Sequence, residues 1–139
     1  MLHQLVPLIK IMNISVTKFE PENVELRLDE NKDNYNHFGK FYAGALFTLG
    51  EVTGGVAMFS RDALRAHKIV ARAASIKYLK PVGKIAVATA ALSDEDAEIV
   101  LKEIEETGRA SKTLNIRINN TDGDTVVEME VGYYLKKNT

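Results

Sequence analysis

Hydrophobic positions follow different rhythms in successive parts of the chain. Val24, Leu26 and Leu28 alternate with Glu25, Arg27 and Asp29 after a Pro21-Glu22-Asn23 turn, which predicts a β-hairpin over residues 14–29 with one face in water. From Phe41 to Ser60 the alternation disappears. The run FYAGALFTLGEVTGGVAMFS is apolar or small around nearly the whole helical circumference, the signature of a helix buried on all sides. Strands are then predicted over Ile69–Leu79 and Ile85–Leu92, on either side of a Pro81-Val82-Gly83 turn. Ser93 is a good N-cap for an acidic helix over Asp94–Thr107, and Gly108 suits its C-terminal end. Leu114, Ile116 and Ile118 face Val127, Met129, Val131 and Tyr133 across a Thr121-Asp122-Gly123-Asp124 turn, which reads as a second hairpin. The first residues, MLHQLVPLIKIMNI, predict a packed or interfacial helix. The order of elements favours an α+β fold in which an antiparallel sheet covers the apolar helix.

Length and composition narrow this picture. With 139 residues, 45% of them hydrophobic, one domain spanning 1–139 is the economical organisation, because two would each lack a core. The absence of cysteine excludes disulfides, thiolate metal sites and a cysteine nucleophile, and fits a reducing compartment. No metal site is expected from three scattered histidines. The leading segment has no basic stretch or cleavage signal, and Lys10 interrupts it, so a cytoplasmic protein is expected.

The net charge of −1 excludes a generally basic nucleic-acid binder but hides a strong asymmetry. Residues 61–84 carry seven basic residues against Asp62 and sum to +6, whereas residues 94–106 carry seven acids against Lys102 and sum to −6. The acidic helix is expected to be a solvated face. The basic stretch could receive a phosphorylated ligand.

The chemistry concentrates on Glu51, the single charged side chain of the apolar run. A membrane span is rejected, since a central carboxylate would cost several kcal/mol in lipid and the neighbouring strands are amphipathic. In a soluble core the same carboxylate must be paired, hydrogen-bonded or raised in pKa toward the range of a general base. Gly50, Gly54 and Gly55 are expected to let strands approach the helix closely. Ala43 and Gly44 open it with small residues, where free N–H groups can bind a carbonyl oxygen that becomes negative during reaction. Gly44 and Glu51 share a helix face but lie about 10 Å apart along the axis, too far to act on one carbonyl, since reacting groups must approach to roughly 3 Å. A site taking Gly44 from one chain and Glu51 from another meets this constraint and predicts an obligate dimer.

The segment Asn36-His37-Phe38-Gly39-Lys40-Phe41-Tyr42-Ala43-Gly44, followed by Glu51, resembles the pattern Asn-x-x-Gly-x-x-His-Gly-Gly with an acid seven residues on. That pattern opens the central helix of hotdog-fold thioesterases of the PaaI-like branch and related acyl-CoA thioesterase families. The strand Ile76-Lys77-Tyr78-Leu79-Lys80-Pro81-Val82 is similar to the strand following that helix. The resemblance implies a hotdog fold and hydrolysis of an acyl-CoA, with Glu51 as nucleophile or general base, the Gly44 N–H as carbonyl polariser and Asn36 positioning water or thioester. Tyr42 and Ala43 stand where those families have His and Gly. A strand hydroxyl found in some relatives is Ala71 here, with Ser75 nearby.

Tyr42, Ala43, Ser75, Arg72, Lys77 and Lys80 are therefore the expected substrate-binding residues. His37 is a further catalytic candidate, because hotdog dehydratases use a histidine of one chain with an acid of the other. Coenzyme A enters as part of the substrate, so no separate cofactor is expected. The partners are an acyl-CoA and a second copy of the chain, in a homodimer or a tetramer of two such dimers, with neither nucleic acid nor membrane. A non-catalytic acyl-CoA-binding domain is the alternative, motivated by Tyr42 and Ala43. A hydratase or dehydratase using His37 and Glu51 is a third.

Overall fold

Two short helices, α1 (Leu2–Leu5) and α2 (Pro7–Ile11), stand where one is expected from the sequence. Pro7 separates them, because it occupies the first turn of α2, where its missing N–H costs nothing but cannot extend a preceding helix. The computed structural model describes residues 1–138. Strands β1 (Ile14–Glu20) and β2 (Asn23–Leu28) form the first hairpin. Val24, Leu26 and Leu28 are fully buried, as their alternation requires.

A loop with one 3-10 turn leads into the central helix α3 (Ala43–Phe59). Polar contacts tie this loop down. Buried Asn34 donates from Nδ2 to the Met12 carbonyl at 2.7 Å, the Tyr42 N–H donates to the Asn34 carbonyl at 2.7 Å, and the Phe41 N–H donates to Val82 at 2.9 Å. The start of α3 is therefore held from both sides. A short helix α4 (Asp62–Arg65), which has no clear hydrophobic signal, follows and precedes β3 (Lys68–Tyr78) and β4 (Ala86–Ala90). Helix α5 (Asp94–Thr107) has the expected limits. Ser93 Oγ accepts the Asp96 N–H at 3.1 Å, and Gly108 ends the helix in the left-handed region at φ +80°. The hairpin of β5 (Arg109–Asn119) and β6 (Thr125–Lys136) completes the chain.

All pairings are antiparallel and give a six-stranded sheet in the order β1-β2-β4-β5-β6-β3. The sheet wraps α3, which touches all six strands. Two glycines permit this closeness. A methyl group at position 50 would overlap the Met129 sulfur, and one at position 54 would overlap the Tyr133 hydroxyl and lie 2.9 Å from two of its ring carbons. Gly55 does not belong with them, since a side chain there meets nothing within 4 Å. It faces the open side of the helix.

The sheet leaves two edges. β1 is one, and β3 is the other, with only Ile69 and Ile76 of its eleven residues partly buried. No described helix is long and apolar enough to cross a membrane.

Candidate functional site

Glu51 sits two turns into α3, on the side of the helix that the sheet does not cover. Its carboxylate faces a cavity of about 480 Å³ between α3, α1 and the first residues of β3. Val52, Val56, Phe59, Leu2, Leu5 and Ile69 supply apolar walls. Among the described residues the carboxylate has no ion-pair partner and no hydrogen-bond donor. Of the three alternatives open to a buried carboxylate, a partner charge, a hydrogen bond or a raised pKa, only the third is found among the described residues. Burial alone raises its pKa above the ordinary value of 4.5.

Tyr133 packs behind it. Its hydroxyl donates to the Glu51 backbone carbonyl at 2.5 Å. Burial and the nearby Glu51 carboxylate push this phenol far up, with the Gly55 backbone opposing, so it stays a neutral donor. The chain reversal needed to bring Tyr133 to Glu51 spans 82 residues. No spacing in the sequence carries that signal.

The opening of α3 is built differently. Tyr42 is its N-cap and makes no side-chain capping bond, and its carbonyl takes the N–H groups of Ala45 and Leu46. The N–H groups of Ala43 and Gly44 have no backbone acceptor among the described residues. Ala43 and Gly44 are exposed, and the exposed Tyr42 ring leans over Gly44, where an added Cβ would lie 2.8 Å from one of its ring carbons. The Tyr78 hydroxyl donates to the Ala43 carbonyl at 3.0 Å, which binds the end of β3 to this turn. Gly44 and Glu51 remain two turns apart on one helix, so a single chain does not bring them together.

Asn36 organises its own loop. Its Oδ1 accepts the N–H groups of Phe38 at 2.9 Å and Lys40 at 3.2 Å, and its carbonyl accepts that of Gly39. His37 is exposed and stacks on Phe38, with ring centres 4.0 Å apart. Neither lines the cavity at Glu51.

The basic stretch divides. Arg61 binds Asp94 and the Leu92 carbonyl, and Arg65 pairs with Asp62 at 2.9 Å and donates to the Phe59 carbonyl at 2.9 Å. These two fasten α4 to its surroundings. The acidic face of α5 is solvated as expected, with six of its seven acids exposed, although Asp94 also holds Arg61 and Asp96 holds Lys112 at 3.2 Å. Arg72 stacks over the Tyr134 ring at 4.1 Å, and Lys80 pairs with Asp124 at 3.5 Å. Ser75 and Lys77 stand opposite Glu130 and Glu128 of β6 and line a separate, larger hollow on the outer face of the sheet. The structure thus separates the basic candidates from the carboxylate cavity. Among the described residues no group of three or more His, Asp or Glu side chains is placed to hold a metal ion.

Several solved structures with the same architecture carry thioesterase descriptions, and others carry none. A Pseudomonas aeruginosa protein of unknown function, termed a probable thioesterase, superposes with a TM-score of 0.87 at 25% identity, covering 98% of this chain and 91% of its own. A Shewanella oneidensis protein described as a "putative thioesterase" gives 0.82 at 21% identity, with 98% and 92% covered. A Streptococcus pneumoniae hypothetical thioesterase, solved with coenzyme A, gives 0.69 at 18% identity, with 91% and 89% covered. Among curated proteins, none matches the chain in sequence. The model of the family described as "Putative thioesterase (yiiD_Cterm)" matches residues 1–137. With that match over essentially its whole length and a sheet wrapped on a central helix, the chain belongs to this thioesterase family of hotdog fold.

Proposed function

We propose that the protein is an acyl-CoA thioesterase whose Glu51 carboxylate attacks the thioester carbonyl or activates water to do so. The observation that carries this reading is a half-buried carboxylate, unpaired among the described residues, at the wall of an apolar cavity. A structural carboxylate would be expected to have a partner there, whereas a general base needs a free lone pair and a raised pKa. Family membership supports thioester chemistry, and a relative of the same fold solved with coenzyme A supports that carrier.

In this reading the active site is shared by two copies of the chain. β3 is an eleven-residue edge strand with free backbone groups, and Tyr42, Phe47, Tyr78 and Leu79 expose apolar surface beside it. A long uncovered edge with apolar flanks favours pairing with an identical edge about a two-fold axis. Pairing of this kind brings the opening turn of one α3 toward the cavity of the other. The Gly44 N–H then polarises the carbonyl over the partner's Glu51, and Asn36 fixes the loop that presents it. Arg72, Lys77 and Lys84, which have no carboxylate partner among the described residues, lie on or just after that edge strand and attract the phosphates of coenzyme A.

Tyr42 favours one other reading. Its ring stands over Gly44, where a carbonyl must approach, and this suits a domain that holds acyl-CoA without cleaving it. Thiol release from a panel of acyl-CoAs, measured for wild type and for Glu51→Gln and Glu51→Ala with their oligomeric state checked, separates the two. Hydrolysis lost in both variants supports the thioesterase. Undiminished turnover removes Glu51 from the mechanism, and binding without turnover in the wild type supports the non-catalytic domain.

A further inference from the structure

The cavity at Glu51 does not end at the carboxylate. It follows α3 through Val52 and Val56 to Phe59, with Leu2 and Leu5 of α1 as its roof and Ile69 of β3 as its outer wall. On the far side of α1 a second cavity of about 310 Å³ continues toward Val16 and Phe19 of β1. Leu2, Leu5, Val56 and Phe59 line both. Helix α1 thus bridges the gap between the two sheet edges over an apolar trough that starts at Glu51.

The polar groups along this trough are few. Tyr133 donates to the Glu51 carbonyl, and His3 Nε2 bonds the Ile14 carbonyl at 2.7 Å. Among the described residues the other side chains on the walls are apolar, apart from Glu51 itself and Ser15 in the second cavity, and an unsatisfied polar group is costly to bury. The trough therefore suits an unsubstituted hydrocarbon.

We propose that the trough beneath α1 is the acyl subsite and that it selects straight aliphatic chains of about ten carbons. This rests on the reading of Glu51 given above and adds the substrate class. The length follows from the helix. Glu51 and Phe59 are eight residues apart, about 12 Å at 1.5 Å per residue. An extended chain advances roughly 1.2 Å per bond, taking about 3.6 Å for the three bonds of a fully extended residue, so about ten bonds carry a chain from the carboxylate to the end of the first cavity. A longer chain must bend around α1 into the second.

The test uses full-length protein with two parallel series from four to sixteen carbons: non-hydrolysable S-alkyl-CoA thioethers for affinity and acyl-CoAs for kcat/KM. Leu5 is half exposed, so Leu5→Trp and Leu5→Asp alter the trough without opening the core. Ile11→Asp, on the exposed side of α2 and outside both cavities, is the control. Affinity is expected to rise about fourfold per methylene and to level off near ten carbons. Leu5→Trp shifts that break to shorter chains while leaving the four-carbon ligand unchanged, Leu5→Asp flattens the rise, and Ile11→Asp changes nothing. A flat series, a break unmoved by both Leu5 variants, or a preference for aromatic or hydroxylated groups overturns the assignment. Failure here is distinct from failure of the thioesterase reading. Glu51-dependent hydrolysis without chain-length dependence removes the subsite alone, whereas thioether affinities that follow the expected series without any hydrolysis keep the subsite and remove the enzyme.

Discussion

The Tyr133 hydroxyl donates to the backbone carbonyl of Glu51 at 2.5 Å, through the gap left by the missing side chain of Gly54. One residue of the last strand thereby fixes the turn of the central helix that carries the carboxylate. Tyr133→Phe keeps the ring and removes this bond, which is worth about 0.5–1.5 kcal/mol. Chemical denaturation should show a loss of that size. Thioester turnover should fall mainly in kcat, because Glu51 loses its positioning while the trough stays intact.

Glycines 54 and 55 should respond oppositely to alanine. Gly54→Ala drives a methyl group into Tyr133 and is expected to cost about 1–3 kcal/mol as overpacking. Gly55→Ala meets open space and should stabilise the helix by up to about 1 kcal/mol. Denaturant midpoints of the two variants at equal m-values check the contrast.

Glu51 sets a pH dependence of definite sign. Burial raises its native pKa above the 4.5 of a solvated glutamate, so between that value and the native pKa the folded state holds a proton that the unfolded state has released. Below pH 4.5 both states are protonated and the burial costs nothing. Stability then declines as pH rises through the native pKa. The difference between wild type and Glu51→Gln, followed by denaturation from pH 4 upward, should display this slope, because glutamine carries no titrating group. The acid limb of kcat/KM should have its midpoint above 4.5, since the reaction needs the carboxylate.

Arg61 and Asp94 should not be equivalent partners. The arginine is largely buried and bonds both the Asp94 carboxylate and the Leu92 carbonyl, whereas Asp94 is mostly in water. Arg61→Ala is expected to cost about 1.5–3 kcal/mol, as hydrogen bonds of a charged group do. Asp94→Ala should cost under about 1 kcal/mol, the range of exposed pairs. Thermal melts of both variants and their combination test this.

A two-fold pairing through β3 predicts sedimentation at twice the 15.4 kDa of one chain. Backbone amides of residues 68–78 that point away from β6 should exchange slowly with deuterium. A species of one chain's mass with freely exchanging β3 amides would contradict the shared site.

Most of the fold was legible because its signals are local. The alternation in residues 24–28, the apolar run from 41 and the Ser93 and Gly108 caps each report on a few neighbouring residues, and the structure follows them closely. The family resemblance, carried by residues 36–51, agrees with the family match. The division of labour within the basic stretch could not be read, because Arg61 finds Asp94 across 33 residues. The faces of β3 were obscured by the bulge between Ala71 and Ala73, which shifts the alternation midway along the strand. Arg72 and Ser75 consequently stand on the outer face. The carboxylate itself was conspicuous from composition, but its cavity depends on α1, some 50 residues upstream, and on Tyr133 far downstream.

The two close approaches of α3 to the sheet also constrain how this sequence can change. Position 50 has room only while residue 129 is slender and flexible, and position 54 only while residue 133 keeps its ring where it is. Each pair must therefore vary in concert, a larger residue on the helix being matched by a smaller one on β6. Because residue 133 also anchors Glu51, substitution at the second pair reaches the carboxylate, and drift there is coupled to whatever chemistry Glu51 performs.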